Sequence, residues 1–157
     1  MKKEIYLILH NIRSLHNVGS IFRTADGAGV EKIFLTGYTP SPLDMFGKTR
    51  KKIAKIALGA EKSVPWEKHQ DIGKLITKLK NYRDRISIVG VEQSDKAVDY
   101  RKYRTKYPLA LIMGNEVRGL SKQALKKCDK IIEVPMYGEK ESLNVAVTTG
   151  IVLFNLV

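Results

Sequence analysis

Five short aliphatic runs, each bounded by polar or turn-forming residues, constrain the fold of this chain more than any other feature of its sequence. Runs of this length and composition are typical of buried β-strands. The predicted strands span residues 5–9, 32–36, 86–91, 109–113 and 131–134. Apolar residues recur at helical spacing between them, and the predicted helices span residues 17–28, 48–57, 70–82 and 119–128. This alternation predicts an α/β fold with a mostly parallel sheet flanked by helices.

The final segment, residues 142–157, is apolar on most sides and does not identify its own secondary structure. It opens with Ser142, a residue type that commonly caps helices, and we predict a buried or dimer-facing helix. Its valine, threonine and isoleucine content suits a strand equally well, so that alternative stays open. The segment at residues 37–47 is rich in turn formers and is expected to be a surface loop.

Length and charge bound the class of protein. At 157 residues the chain can bury one hydrophobic core but not comfortably two, so we expect a single domain over residues 1–157. Lysine and arginine number 28 against 16 acidic residues, and the formal net charge of +12 attracts polyanions. Nucleic acid is the favoured partner and a membrane is not, since the apolar stretches before the C-terminal segment are only strand-length.

Several kinds of chemistry are not expected. Cys128 is the only cysteine, which excludes an intrachain disulfide framework and multi-cysteine metal sites. His10, His16 and His69 are scattered, so no metal site is expected. The sequence has neither a GxxxxGKS/T phosphate loop nor a GxGxxG fingerprint after the first predicted strand. The N-terminus lacks the features of a secretory signal, and we expect a cytoplasmic location.

Three polar, glycine-bearing clusters lie beside predicted strands, where α/β domains bind their ligands. The first, at residues 17–29, contains Asn17 and Arg23 in the helix after the first strand. A helix-capping role for Asn17 and a solvent-facing Arg23 would explain this cluster without a ligand. On spacing alone, that explanation is favoured.

The second cluster, at residues 111–121, contains Gly114, Asn115 and Glu116 directly after a buried strand. Glycine permits a tight turn between strand and helix, which accounts for this cluster only in part. A short turn does not require the carboxylate of Glu116.

The third cluster, at residues 134–147, contains Ser142 and Asn144 at the entry to the C-terminal segment. Asn144 is a polar side chain in an otherwise apolar run, and it must find hydrogen-bond partners if it is buried. Three such clusters in a chain of this size together predict a ligand site.

These clusters resemble the motifs of SPOUT-class RNA methyltransferases, and within that class those of the SpoU or TrmH family. The first motif matches Asn17, Gly19, Arg23 and Thr24. The second matches Gly114, Asn115, Glu116, Gly119 and Leu120. The third matches Pro135, Met136, Ser142, Leu143, Asn144 and Val145. The resemblance extends over about residues 5–155, and three motifs in the family's order are specific where a single one would be weak.

The resemblance implies a SPOUT fold, in which the C-terminal segment forms a trefoil knot, and a homodimer that binds tRNA or rRNA across both subunits. The implied activity is transfer of a methyl group from S-adenosyl-L-methionine to a ribose 2′-hydroxyl. The catalytic residues would be Arg23, Asn17, Glu116, Ser142 and Asn144. The cofactor-binding residues would be Val91, Met113, Gly114, Val134, Met136, Ser142 and Leu143.

Arg23 is the central catalytic residue that the resemblance implies. A guanidinium is effectively always protonated, which favours a clamp on the neighbouring phosphate and the forming alkoxide over a general base. RNA affinity would come from basic segments and not from a separate RNA-binding domain. These segments span residues 48–55, 78–85, 101–106 and 122–130.

Two alternatives stay open: a non-catalytic RNA-binding protein of the same fold, and a small-molecule-binding α/β domain. The sequence does not identify the RNA or the target nucleotide. Relatives in the family commonly carry a few polar residues beyond the position of Val157, which leaves open a longer natural C-terminus.

Overall fold

The computed structural model describes residues 2–82 and 86–157, and its centre is a sheet of seven strands. The strands are β1 Ile5–His10, β2 Lys32–Thr36, β3 Trp66–His69, β4 Ser87–Val91, β5 Val98–Asp99, β6 Leu109–Met113 and β7 Lys130–Glu133. Their order is β3-β2-β1-β6-β4-β7-β5, and every neighbouring pair is parallel. All five predicted strands are present, each with its ends within one residue of the prediction. The predicted parallel α/β fold is confirmed.

Helices cover both faces of the sheet. They are α1 Leu15–Gly27, α2 Lys51–Ala57, α3 Ala60–Ser63, α4 Ile72–Tyr82, α5 Lys122–Lys127 and α6 Val145–Leu156, with a 3₁₀ turn at Tyr100–Lys102. Successive side chains of a strand point to opposite faces of the sheet, so β1 contributes side chains to two separate hydrophobic cores. Leu7 packs in one core with Ile21 of α1 and Val152 of α6. Ile8 packs in the other core with Leu75 of α4.

The two strands that the sequence does not predict, β3 and β5, lie at the edges of the sheet. Their sequences, WEKH and VD, contain no aliphatic run. Main-chain hydrogen bonds to β2 and β7 hold them in place. An edge strand buries fewer side chains than a central one, so it needs no continuous apolar pattern.

Two helices begin three residues later than predicted, each for a local reason. Helix α2 begins at Lys51 because Thr49 still pairs with Leu43 in an isolated antiparallel bridge. Helix α5 begins only after Gly119, whose φ of 66° is left-handed. Ser121 then caps α5 by accepting a hydrogen bond from the amide of Ala124.

The C-terminal segment forms the predicted helix and not the alternative strand, but the predicted cap is wrong. Helix α6 begins at Val145, and its cap is Asn144, whose side chain accepts hydrogen bonds from the amides of Ala146 and Val147. Ser142 lies two residues before this cap, in an irregular and exposed stretch. None of the helices in the described part of the chain is long and apolar enough to cross a membrane.

The topology brings the loops of the three polar clusters together. Strand β6 lies between β1 and β4, and β7 lies beside β4, so the carboxyl ends of these four parallel strands share one edge of the sheet. Helix α6 packs against α1 on one face. The trefoil knot stays a prediction.

Candidate active site

Asn115 organises the loop that follows β6. Its Nδ2 donates hydrogen bonds to the carbonyl oxygen of Asn11 and to the hydroxyl of Tyr38, both at 2.9 Å. Its Oδ1 accepts from the amides of Val117 at 2.9 Å and Arg118 at 2.8 Å. The side chain is buried, so these four bonds satisfy it and hold the loop in one conformation.

A close approach of main chain closes the same loop. Asn115 and Gly119 exchange two main-chain hydrogen bonds, at 3.1 and 3.0 Å. A Cβ on Gly114 would lie 2.6 Å from the carbonyl carbon of Gly119, so only glycine fits at position 114. The predicted tight turn is therefore present.

Glu116 uses its carboxylate to hold the start of α1. Its oxygens accept from the main-chain amides of Arg13 at 3.1 and 3.2 Å and Ser14 at 3.2 Å, and from Nδ2 of Asn17 at 3.2 Å. Burial alone would raise the pKa of this carboxyl, but the hydrogen bonds outweigh burial and lower it below its ordinary value. The carboxylate is therefore ionised near neutral pH.

Asn17 links Glu116 to the third cluster. It is buried, and its Oδ1 accepts a hydrogen bond of 3.1 Å from Nδ2 of Asn144. The cap of α1 is Ser14, whose hydroxyl accepts from the amide of Asn17 at 3.1 Å, so a capping role for Asn17 is wrong. Two hydrogen bonds, from Asn17 to Glu116 and from Asn144 to Asn17, therefore connect one residue from each polar cluster. Asn144 is itself exposed, so the burial that would have required such hydrogen-bond partners is not present.

A cavity of about 150 Å³ lies at the carboxyl ends of β4, β6 and β7. Its wall contains every residue predicted to bind the cofactor: Val91, Met113, Gly114, Val134, Met136, Ser142 and Leu143. Glu116 of the predicted catalytic set also lines it. We call this cavity the strand-end pocket. The structure thus brings these residues together, while their individual roles stay predictions.

The strand-end pocket is acidic although the chain as a whole is basic. Glu92, Glu116 and Glu133 lie in its wall, and among its described lining residues there is no lysine or arginine. The chain carries a formal net charge of +12, so this concentration of carboxylates is local. Carboxylates around a small cavity favour a ligand that carries positive charge.

Several lining residues were not predicted. Glu92 and Gln93 directly follow β4, Glu133 ends β7, and Thr148 lies in the first turn of α6. Glu92 also holds the loop after β6, because its carboxylate accepts a hydrogen bond of 2.6 Å from the amide of Leu120. Their position at the ends of predicted strands is a signal that would have found Glu92 and Glu133.

Arg23 lies on the exposed face of α1 and is not part of the pocket wall. The neighbouring Thr24 faces α6, since a Cβ on Gly150 would lie 3.6 Å from its methyl carbon. Within one chain, Arg23 therefore does not converge with Glu116 and Ser142 on the same cavity. Its catalytic role stays a prediction.

The predicted basic segments differ in how their charges are placed. Segment 48–55 exposes four lysines: Lys48, Lys51, Lys52 and Lys55. In segment 78–85, Lys80 pairs with Asp129 at 2.8 Å, and residues 83–85 lie outside the described residues. In segment 101–106, Arg101 pairs with Asp99 at 2.6 Å.

Metal and thiol chemistry would depend on histidine, cysteine and carboxylate side chains. No group of three histidine, cysteine, aspartate or glutamate side chains there is arranged to hold a metal ion. Cys128 is a half-buried free thiol, and burial together with the charge of Asp129 raises its pKa to about 11. A thiol with so high a pKa is a weak nucleophile at neutral pH.

Comparison with known proteins covers nearly the whole chain, because the model of the SpoU rRNA Methylase family matches residues 4–154. The chain belongs to this SpoU family. The 23S rRNA (guanosine-2′-O-)-methyltransferase RlmB of Photorhabdus laumondii is 33% identical over 153 residues, which are 96% of this chain and 58% of that protein. The chain thus spans somewhat under two thirds of the length of the curated SpoU relatives that it matches.

Solved structures of SpoU proteins have the same architecture. The TrmH/SpoU tRNA modifying enzyme of A. aeolicus superposes with a TM-score of 0.84 at 30% identity, over 99% of this chain and 74% of that one. The AdoMet-bound rRNA methyltransferase of Sinorhizobium meliloti superposes with a TM-score of 0.86 at 29% identity, over 99% of this chain and 56% of that one. The predicted family and its SPOUT-type parallel sheet are confirmed.

Proposed function

We propose that this SpoU-family chain transfers a methyl group from S-adenosyl-L-methionine to a ribose 2′-hydroxyl of RNA. The names of its relatives support the reaction, since they specify guanosine 2′-O-methylation of 23S rRNA. The observation that carries the proposal is the acidic wall of the strand-end pocket, formed by Glu92, Glu116 and Glu133. When bound, S-adenosyl-L-methionine supplies a methyl group on a positively charged sulfonium, which this wall attracts.

The residues of the pocket fit the rest of that molecule. Val91, Met113 and Leu143 offer an apolar surface for an adenine ring. Gly114 adds main chain to the wall, which is the kind of partner that the edge of the ring would need. Ser142 adds a hydroxyl to the wall.

The acidic wall of the strand-end pocket also argues against the alternative of a small-molecule-binding α/β domain whose ligand is a nucleotide. A nucleoside triphosphate carries several negative charges, which the three carboxylates of the strand-end pocket repel. A phosphate site needs arginine, lysine or a cluster of free amides. The amides of Arg13 and Ser14, at the start of α1, are already occupied by Glu116.

We assign to Arg23 the role of aligning the reacting hydroxyl and stabilising its developing charge. A ribose hydroxyl is a poor nucleophile, and it needs to be aligned and to have its developing charge stabilised. Arg23 supplies a permanent positive charge for the alkoxide and the adjacent phosphate. Glu116, Asn17 and Asn144 hold α1 in place and act as positioning residues.

A homodimer would account for the exposed position of Arg23. Helix α6 exposes Val147 and Phe154, with 51% and 57% of their surface accessible. Phe154 lies next to α1, where a Cβ on Gly27 would be 3.6 Å from its ring. A second copy that covers this apolar face would bring Arg23 to the boundary between two subunits, where it can reach a ribose held at the strand-end pocket of the partner subunit.

The remaining proposals concern the setting of the reaction. We propose that residues 1–157 form one catalytic domain whose own basic surface binds RNA. The substrate class is rRNA or tRNA, which the names of the relatives and of the A. aeolicus neighbour specify. Such RNA is reached in the cytoplasm, which is the compartment we propose.

Isothermal titration calorimetry with S-adenosyl-L-methionine and with ATP tests the proposal. We expect clear binding of the former and much weaker binding of the latter. Glu133→Gln should weaken S-adenosyl-L-methionine binding, because it removes one carboxylate from the pocket wall. Glu139→Gln removes an exposed carboxylate outside the wall and should not. Equal or stronger binding of ATP would contradict the proposal.

A further inference from the structure

We propose that a second cavity holds a nucleotide of the substrate RNA adjacent to the one that is methylated. This groove of about 630 Å³ is formed by Arg13, Tyr38, Asn115, Val117 and Arg118, with two apolar neighbours, and we call it the arginine groove. Asn115 and Val117 also line the strand-end pocket, so the two cavities adjoin each other at the loop after β6. The inference rests on the proposed methyl transfer to RNA.

The charges of the two cavities are opposite. The arginine groove contains two exposed arginines, Arg13 and Arg118, and no acidic side chain among its described lining residues. The strand-end pocket contains three carboxylates. A guanidinium binds a phosphate through two parallel hydrogen bonds, so the groove suits the backbone of a nucleic acid. An anionic strand and a cationic methyl donor would therefore be drawn to neighbouring sites.

Both arginines project from backbone that is fixed. The amide of Arg13 donates to the carboxylate of Glu116 at 3.1 Å, and the amide of Arg118 donates to Oδ1 of Asn115 at 2.8 Å. These bonds tie the groove to the loop that walls the strand-end pocket. A strand held by the arginines is thereby kept in register with that pocket, which is what transfer to one particular hydroxyl requires.

Tyr38 provides an aromatic surface in the arginine groove. Its amide donates to Oδ1 of Asn11 at 3.2 Å, and its hydroxyl accepts from Nδ2 of Asn115 at 2.9 Å. Held at both ends, the residue still exposes 56% of its surface. A ring fixed in this way loses little freedom when a base stacks on it.

The wall that the two cavities share indicates which nucleotide each cavity would hold. The reacting ribose must meet the methyl group inside the strand-end pocket. The arginine groove is separated from that pocket by Asn115 and Val117, so it takes the neighbouring nucleotide and not the target itself. Tyr38 would stack on the base of this neighbour while Arg13 and Arg118 hold its phosphate.

The test is RNA binding measured by fluorescence anisotropy with a 5′-fluorescein single-stranded RNA of random sequence, beside calorimetry with S-adenosyl-L-methionine. Tyr38→Ala should weaken RNA binding by at least about fivefold, whereas Tyr38→Phe keeps the ring and most of the affinity. Phe46→Ala is the control, since Phe46 is an exposed aromatic residue outside the predicted basic segments and outside both cavities. S-adenosyl-L-methionine affinity should be unchanged in all three variants.

Salt dependence tests the phosphate contact. Arg118→Gln should reduce the slope of log Kd against log salt concentration by about 0.7, the value for one lost phosphate contact to a single strand. Lys62→Gln, at an exposed position outside the predicted basic segments and outside both cavities, should reduce the slope less.

The two proposals fail in different ways. In the first case, the unsubstituted protein binds both RNA and S-adenosyl-L-methionine, and Tyr38→Ala and Arg118→Gln bind RNA equally well. The arginine groove is then not an RNA site, and the proposed function stands. If the unsubstituted protein does not bind S-adenosyl-L-methionine, the proposed function fails and the groove assignment fails with it.

Discussion

Nδ2 of Asn17 donates a hydrogen bond of 3.2 Å to the carboxylate of Glu116, across 99 positions of sequence. The same carboxylate also accepts the amides of Arg13 and Ser14, at the start of α1. One side chain from the loop after β6 therefore sets the position of the helix that carries Arg23. If methyl transfer depends on the placement of Arg23, it depends on Glu116 as well.

Glu116→Gln should lower both stability and methyl transfer. The amide group of glutamine turns one acceptor into a donor in a site where amide donors of Arg13, Ser14 and Asn17 converge. We expect the free energy of unfolding in urea to fall by about 1–3 kcal/mol near neutral pH. Glu139→Gln, at an exposed position, should change it little.

The effect of Glu116 should depend on pH with a definite sign. Its folded-state pKa is lowered, so its stabilising contribution is present above the ordinary value of 4.5 and is lost as the pH falls through the folded-state pKa. The difference in unfolding free energy between the unsubstituted protein and Glu116→Gln should therefore shrink in acid. A difference that stays constant with pH would contradict this role of the carboxylate.

Gly114→Ala should disrupt the loop after β6. The added Cβ would lie 2.6 Å from a main-chain carbon of Gly119, which has no flexible side chain to move aside. We expect a loss of about 1–3 kcal/mol in unfolding free energy and weaker S-adenosyl-L-methionine binding. Gly138→Ala is the control, because a Cβ there meets nothing within 4 Å. Equal stability of the two variants would show that the close approach is unimportant.

Arg23→Ala should abolish methyl transfer and leave S-adenosyl-L-methionine binding largely intact. Arg23 is exposed on α1 and lies outside the strand-end pocket, so its removal leaves the wall of that pocket unchanged. Steady-state methylation assays and calorimetry separate the two effects. Lys62→Ala, at an exposed position outside the predicted basic segments, should retain activity. If Arg23→Ala retained activity, Arg23 would not have the catalytic role assigned to it.

Cys128 should resist thiol reagents in the folded protein. Burial and the charge of Asp129 raise its pKa to about 11, so little thiolate is present near pH 8. Reaction with a chromogenic disulfide should be slow in buffer and fast in denaturant. Rapid reaction of the folded protein would show that the thiol is more accessible and more acidic than its half-buried position implies.

The central strands were predictable because burial on both faces leaves a continuous aliphatic run, as in β6, where all five residues are buried. The polar edge strand β3 was not, because its pairing depends on main-chain bonds to β2. Helix starts depended on single residues such as Ser121 and Asn144, whose capping role appears only with the backbone around them.

The pocket residues were predictable from motif resemblance and from their place at strand ends, as with Val91 and Met113. The bond between Asn17 and Glu116 was not, because sequence patterns carry no signal over 99 positions. The exposed position of Arg23 agrees with the explanation favoured on spacing alone. It depends on which face α1 turns toward the core, where Ile21 and Phe22 are fully buried.

Analysis of the methylated product tests the central assignment most directly. The protein is incubated with methyl-tritiated S-adenosyl-L-methionine and total RNA from cells lacking the gene, and the RNA is digested to nucleosides and separated. We predict that the label co-migrates with a 2′-O-methylnucleoside and that Arg23→Ala gives none. Label on a base, or no label despite measurable binding of S-adenosyl-L-methionine, would contradict the assignment.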